Sequence, residues 1–235
     1  MKKIEEIFEK VMPYFMKFAS SKPISAIKDG FILTMPATII GSIFLLIGNF
    51  PINGWSDKMA SIFGANWQTP LNQVSGATFD ILALIAVFGI AYAYTRNEGH
   101  EAVPAGILGI ISFLIVTNAF VVTEAGEVVG GVIPKAWTGG QGMICAIIIG
   151  LLVGFIYSLF LNKDIRIKMP ESVPTGVSNA FTALIPGVVI GTGSMIIYVV
   201  CDAVKGISMT EIIYEILQIP MQSLSDSLIG IILIM

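Results

Sequence analysis

Only one ionisable side chain lies well inside a long apolar stretch of this sequence, and that residue is Asp80. A carboxylate placed inside a bilayer is costly, so an acid in such a position is a candidate functional site. Asp80 also lies near one end of its stretch, where water could reach it. We therefore weigh a polar site within the membrane against a structural role as a cap or a packing group, and we favour the structural role.

His100 is the only histidine, and it lies in the short polar segment from Arg96 to Glu101. The functional interpretation is a role in docking or phosphotransfer, but a lone loop histidine beside charged residues is usually solvated, and we favour that interpretation. Cys145 and Cys201 both lie in apolar stretches, which predicts two buried thiols and no disulfide framework. No nucleophile elbow, P-loop or metalloprotease motif is present. The sequence therefore predicts no catalytic residue, no metal site and no cofactor.

The elements that must hold these residues are transmembrane helices. The chain is 55% hydrophobic and only 12% charged, whereas an ordinary soluble domain is about 25% charged. A helix needs about 20 apolar residues to cross a bilayer core, and five stretches meet that length: residues 30–50, 74–94, 103–122, 143–161 and 181–201. The net charge of −3 and the absence of a basic stripe exclude nucleic acid as a partner.

Two further segments have the apolar periodicity of helices that lie in the membrane interface. They are residues 1–18 and residues 208–224, the second of which begins with a capping box formed by Ser208 and Glu211. Residues 228–235 then begin a new apolar stretch that is too short to span. The predicted fold is an all-α integral membrane protein with about five complete transmembrane helices, two interfacial amphipathic helices and the start of a sixth span.

The predicted organisation has three parts. Residues 1–29 form an N-terminal amphipathic helix and linker, residues 30–205 a five-helix transmembrane scaffold, and residues 206–235 a linking helix with the start of the sixth span. Because that span is unfinished, we expect the chain to be the front part of a longer transporter.

Lysine and arginine are unevenly divided between alternate connecting segments, ten against three. The positive-inside rule therefore places the N-terminus, the Arg96 segment and the Lys163–Lys168 loop in the cytoplasm. The cations of that loop, Lys163, Arg166 and Lys168, could also dock a soluble partner, although setting topology is the simpler role. All three tryptophans fall on the outer side: Trp55, Trp67 and Trp137.

Small residues recur every fourth position in two of the predicted spans. Small side chains at this spacing let helix backbones approach closely in lipid. The fourth span carries Gly142, Ala146, Gly150, Gly154 and Ser158, and the fifth carries Ala183, Gly187 and Gly191. Either ridge fits a neighbouring helix of the same chain as well as a sister subunit, and we favour the same chain slightly.

One loop is distinctive enough to indicate a family. Residues 167–187 read IKMPESVPTGVSNAFTALIPG, which resembles the hallmark segment of sugar phosphotransferase-system permeases, the enzyme IIC components of the lactose, cellobiose and diacetylchitobiose group. Residues 30–36 and the stretch VPAGILGIISFLIVTNAF at residues 103–120 resemble the same family. The resemblance extends over essentially the whole chain.

The resemblance implies about ten transmembrane helices in two halves, with a scaffold and dimer contact in the first five. It places re-entrant hairpins and most of the sugar site, including a histidine and a glutamate, in the second half. This chain matches only the first half and the linking helix, and the loop around His100 does not match that histidine. No catalytic or sugar-contacting residue is therefore carried over.

The implied function is inward movement of a β-linked disaccharide across a bacterial cytoplasmic membrane. The implied partners are a cytoplasmic IIB protein that phosphorylates the sugar, IIA acting through IIB, and a second copy of the chain. Lys163, Arg166 and Lys168 are the candidates for IIB docking. The alternatives are a transporter or channel that is not coupled to phosphorylation, and a module that serves only for dimerisation.

Overall fold

A computed structural model of the protein describes residues 12–13, 16–170 and 172–220. The predicted N-terminal amphipathic helix falls largely outside this part of the chain, as do the end of the second interfacial helix and the start of the sixth span. The helices are α1 (Lys22–Ile32), α2 (Met35–Gly48), α3 (Trp55–Phe63), α4 (Gln68–Phe79), α5 (Leu82–Asn97), α6 (Val103–Ile115), α7 (Lys135–Thr138), α8 (Met143–Asn162), α9 (Thr175–Thr182), α10 (Leu184–Lys205) and α11 (Met209–Ile213). Two short strands, β1 (Phe120–Val122) and β2 (Val128–Gly130), form an antiparallel hairpin between α6 and α7.

Three helical stretches in the described residues are long and apolar enough to cross a membrane. They are Gln68–Asn97, Gly140–Asn162 and Leu184–Lys205. The helices α1 and α2 meet at a bend of 40° and give a fourth if the pair is one broken span. The helix α6, at 13 residues, is apolar but shorter. The structure is therefore that of a mostly helical membrane protein, whereas the count of five complete spans stays a prediction.

The predicted continuous helix over residues 103–122 is wrong in its second half. The helix α6 ends at Ile115, and the chain turns into the hairpin, in which Phe120 pairs with Gly130. Gly126 at the hairpin tip has a φ of +81°, a conformation that favours glycine over residues with a Cβ. The valines of β1 and β2 suit a strand as well as a membrane helix, so the apolar pattern alone could not separate the two.

The core of the bundle is built around α5, which packs against α1, α6 and α8. Its buried face consists largely of small residues, among them Ala83, Ala86 and Ala91, all of them inaccessible to solvent. A Cβ added to Gly89 would lie 2.6 Å from the carbonyl oxygen of Gly30 on α1. Since lipid supplies no hydrophobic drive between helices, such close backbone contact is what lets dispersion forces hold them together.

The ridge of small residues on α8 faces α5 of the same chain. A Cβ at Gly150 would lie 2.9 Å from the Cβ of Ile90, and one at Gly154 would lie 2.6 Å from the Cβ of Tyr94. The two glycines of the ridge on α10 have different surroundings. A Cβ at Gly187 would lie 3.2 Å from the Leu108 side chain, but nothing lies within 4 Å of the corresponding position at Gly191.

The predicted capping box at the start of α11 is confirmed. The Ser208 hydroxyl accepts from the backbone N–H of Glu211, and the Glu211 carboxylate accepts from the backbone N–H of Ser208. The same carboxylate oxygen accepts from the Asn118 side chain at 2.9 Å, and the hydroxyls of Thr117 and Thr210 are 2.8 Å apart. The start of α11 is therefore hydrogen-bonded to the segment that comes after α6. A single π-helical turn, Tyr214–Gln218, comes next.

The α5–α8 contact gives a stability prediction. We expect Gly154→Leu to destabilise the chain by about 1–3 kcal/mol or more, because the new side chain overlaps Tyr94 and overpacked cores force backbone shifts. The measurement is thermal unfolding in detergent, followed by helical circular dichroism. Leu152→Ile is the matched control, since Leu152 is an exposed residue of the same helix. Equal melting temperatures for Gly154→Leu and Leu152→Ile would contradict the packing described here.

Candidate functional site

Polar and charged side chains gather at the two ends of the bundle, joined by the apolar helices between them. The helices α5 and α8 run in the same direction, so their last turns meet at one end, with the first turn of α1 beside them. We call this the Glu98 end. The opposite end, where α5 begins and α7 lies, is the Asp80 end.

Asp80 lies at a break between two helices rather than within one. It caps α4, where its backbone N–H donates to the carbonyl of Gly76, and α5 begins two residues later. Its carboxylate forms an ion pair with Lys135 at 3.2 Å, and the two side chains are 39% and 70% exposed. The acid predicted to lie inside a span is therefore paired with a base and reaches solvent. This geometry fits the capping role that the sequence favoured.

The break also opens a crevice on the surface of the Asp80 end. The crevice has a volume of about 470 Å³ and is lined by Phe79, Asp80, Lys135, Ala136, Gly139, Gly140 and Gln141. One wall is α7 and the turn after it, and the other is the end of α4. The hydroxyl of Thr138 donates to the Asp80 carbonyl at 2.5 Å, which ties the two walls together. The crevice presents a carboxylate, an ammonium group and an amide to a ligand.

The Glu98 end is a network that joins three segments of the chain. Lys22 at the start of α1 pairs with Glu98 at 2.5 Å, and Asn162 at the end of α8 donates to the same carboxylate at 3.5 Å. The Asn162 amide oxygen also meets Nε2 of His100 at 2.7 Å. The hydrogen bond from Lys22 lowers the pKa of Glu98 below its ordinary value. The start of α1, the His100 loop and the end of α8 therefore lie on one side of the bundle.

The basic loop after α8 is more neutral than its sequence suggests. Asp164 accepts a hydrogen bond from Arg166 at 2.9 Å and forms an ion pair with Lys168 as well. Donation from Lys168 lowers the pKa of the Asp164 carboxyl. Within the residues that the structure describes, Lys163 has no ion pair. Of the three cations proposed for docking, Arg166 and Lys168 thus share Asp164, and Lys163 is unpaired in the described part of the chain.

Several residues at these ends were not singled out from the sequence. The spacing Asp164-x-Arg166-x-Lys168 was a readable signal for local pairing. The pairing of Lys22 with Glu98 and that of Asp80 with Lys135 join residues far apart in the chain, and no local pattern marks either. In the described ranges no group of three histidine, cysteine or acidic side chains could hold a metal ion.

Comparison with known proteins shows the family. Residues 28–235 match the family model for the phosphotransferase system EIIC. The lichenan permease IIC component of Bacillus subtilis is 38% identical over 98% of the chain and 52% of its own length. The cellobiose-specific EIIC component of Geobacillus stearothermophilus is 36% identical over 97% of the chain and 51% of its own length. The chain thus spans about half the length of the curated relatives it matches.

A solved structure supports the fold independently. The crystal structure of the transporter ChbC, the IIC component from the N,N'-diacetylchitobiose-specific phosphotransferase system, superposes with a TM-score of 0.88 at 42% identity. The match covers 97% of this chain and 54% of that one. With its apolar helices and this match over nearly its whole length, the chain belongs to the EIIC family of the phosphotransferase system.

Proposed function

We propose that this chain is the scaffold half of a permease that moves a β-linked disaccharide inward for phosphorylation by a IIB protein. The observation that carries the proposal is the family match over residues 28–235. The matched relatives are named for lichenan, cellobiose and N,N'-diacetylchitobiose, whose sugar units are joined by β-linkages. The chain spans about half of each relative, so the activity belongs to a larger assembly to which these helices contribute.

The mechanism rests on the charge of the product. A neutral sugar passes the membrane through the permease and receives a phosphoryl group from IIB on the cytoplasmic side. The phosphorylated sugar is an anion, and transfer of an ion into hydrocarbon is prohibitively costly. Chemistry on one side of the membrane therefore makes the movement directional. Within this scheme the described residues supply part of the wall of the path, a docking face and an anchor in the bilayer.

We assign the N-terminus and the Glu98 end to the cytoplasm. The ten-to-three division of lysine and arginine supports this orientation, and the contacts of Lys22, His100 and Asn162 keep the three basic segments on one side. The assignment is compatible with five crossings, in which α1–α2 is one broken span and α6 crosses with the segment after it. Residues 30–205 are then the scaffold and residues 206–235 the link to a second half.

The proposed IIB docking face lies at the Glu98 end. Arg96 and Lys163 have no ion pair within the described part of the chain, whereas Arg166 and Lys168 share Asp164. A partner with an acidic surface gains most from cations that no internal carboxylate neutralises. We therefore assign the main electrostatic contribution to Lys163 and Arg96. A smaller contribution comes from Arg166 and Lys168.

A homodimer is part of the proposal. Little of the apolar surface of α10 is buried within the chain, and Val188, Met195 and Val199 on this helix are more than half exposed. Gly191 lies on the same helix with space around it. These features support a sister subunit or a second half packed against α10. The ridge on α8, in contrast, already packs against α5 of the same chain. A scaffold that serves only for dimerisation would use the same surface.

The orientation gives a labelling prediction. In a background with Cys145 and Cys201 replaced by alanine, we expect cysteines at Asn97 and Lys163 to react with an impermeant maleimide only after the cells are opened. Cysteines at Ser56 and Glu124 should react in intact cells, because they lie at the other end of the bundle. Labelling of the Lys163 position from outside would overturn the orientation.

The division into halves gives an activity prediction. Vesicles that contain only residues 1–235, supplied with IIA, IIB and phosphoenolpyruvate, should accumulate no phosphorylated cellobiose, because most of the sugar site is expected in the second half. The full-length cellobiose-specific relative is the positive control, and radiolabelled sugar retained after filtration is the measurement. Accumulation by the isolated chain would show that the proposed division is wrong.

The docking face gives a binding prediction. Lys163→Glu should weaken IIB binding roughly three- to tenfold at low ionic strength, with a smaller effect at high salt, because exposed charges act mainly through screened attraction. Arg166→Gln should have less effect, since Asp164 already neutralises that cation. Lys58→Glu, at the Asp80 end, is the matched control. If Lys58→Glu weakens binding as much as Lys163→Glu, the partner does not dock at the Glu98 end.

A further inference from the structure

The crevice at the Asp80 end has features that its structural role does not require. A residue that only caps α4 needs one partner, yet the crevice measures about 470 Å³ and opens to solvent. Its volume lies in the range of small-molecule sites, which are usually about 300–1,000 Å³. It also lies where a helix is interrupted, and interrupted helices in membrane transporters commonly face their cargo.

The polar groups of the crevice have capacity left for a ligand. A carboxylate can accept about four hydrogen bonds and an ammonium can donate three. The ion pair between Asp80 and Lys135 uses one of each. Gln141, which is exposed, adds an amide that both donates and accepts. Three side chains with unused donors and acceptors therefore converge on one opening.

The charge of the crevice selects against ions. Asp80 repels an anion and Lys135 repels a cation, and the two lie 3.2 Å apart, so a singly charged ligand would gain from one and lose to the other. A neutral ligand that is rich in hydroxyls avoids this conflict, because each hydroxyl can donate to the carboxylate or accept from the ammonium.

The walls are held in place before a ligand arrives. The Thr138 hydroxyl bridges the Asp80 carbonyl, at 2.5 Å, and the Lys135 carbonyl, at 3.2 Å. A Cβ at Gly139 would lie only 3.2 Å from the carbonyl oxygen of Phe79, so glycine allows the two walls to approach. A site whose backbone is fixed in advance loses less entropy on binding.

We propose that this crevice is an outer binding site for the unphosphorylated disaccharide, occupied before the sugar reaches the transport site proper. The inference rests on the proposed function for the identity of the sugar and for the outward orientation of the Asp80 end. It assigns a direct sugar contact to a half of the permease for which the family resemblance supplied none. A phosphorylated sugar, being an anion beside Asp80, is rejected.

The test is binding to the isolated 235-residue chain in nanodiscs, measured by saturation-transfer NMR and by calorimetric titration. Cellobiose should bind saturably with a dissociation constant near the millimolar range, where a few hydrogen bonds place a small ligand. Cellobiose 6-phosphate should show no saturable binding. Gln141→Ala should weaken cellobiose binding about two- to tenfold and Asp80→Asn tenfold or more, in line with neutral and charged hydrogen bonds.

Gln141→Ala keeps the test decisive if Asp80→Asn unfolds the end of the bundle, because Gln141 is exposed and its truncation leaves the helices packed. Glu124→Gln, in the hairpin tip at the same end, is the matched control and should bind cellobiose as the parent does. Absence of saturable binding, or equal binding of the phosphorylated sugar, would overturn the proposal. A failure of the proposed function is a separate result, since it would appear as absence of IIB binding to the chain while cellobiose binding to the chain is unaffected.

Discussion

Close approach of helix backbones to α5 is the contact on which the rest of the structure depends. Lipid is as apolar as the side chains it surrounds, so helices gain nothing by hiding apolar surface from it and associate through contact distance. The glycines that meet α5 from two sides, Gly30 on α1 and Gly154 on α8, bring backbone and Cβ atoms together. Longer side chains at these positions would separate the helices and leave the ends of the bundle without a common frame.

This close packing of the helices also fixes the positions of the polar side chains at both ends of the bundle. The network of Lys22, Glu98 and Asn162 needs the first turn of α1 and the last turns of α5 and α8 to coincide, and the close packing below it fixes those turns. At the other end, the Asp80 crevice needs α7 to lie against the break between α4 and α5. The apolar interior thus fixes the geometry, and the polar ends supply the chemical differences between the two sides.

Local patterns in the sequence predicted the features that depend on local physics. The apolar stretch over residues 143–161 became α8 almost as expected, because hydrocarbon leaves the backbone no alternative to a helix. The capping box of Ser208 and Glu211 was equally readable, since its partners lie three residues apart. The features that the sequence could not reveal depend on distant partners. The break at Asp80 is stabilised by Lys135 and Thr138, which lie 55 and 58 residues away. Similarly, residues 120–122 fit the end of a span until their pairing with residues 128–130 is seen.

The fastening of α11 has a mechanical consequence. Gly206 turns the chain with a left-handed φ of +68°. Directly afterwards the Asn118 side chain donates to Glu211, and the hydroxyls of Thr117 and Thr210 are 2.8 Å apart, so two hydrogen bonds hold α11 against the segment after α6. The start of α11 is therefore held in place against the bundle by hydrogen bonds. Motion of α11 against the bundle would have to break these hydrogen bonds. The π-helical turn Tyr214–Gln218 interrupts the regular helix directly afterwards, so it is the first place beyond α11 where the chain can bend while the start of α11 keeps its contacts.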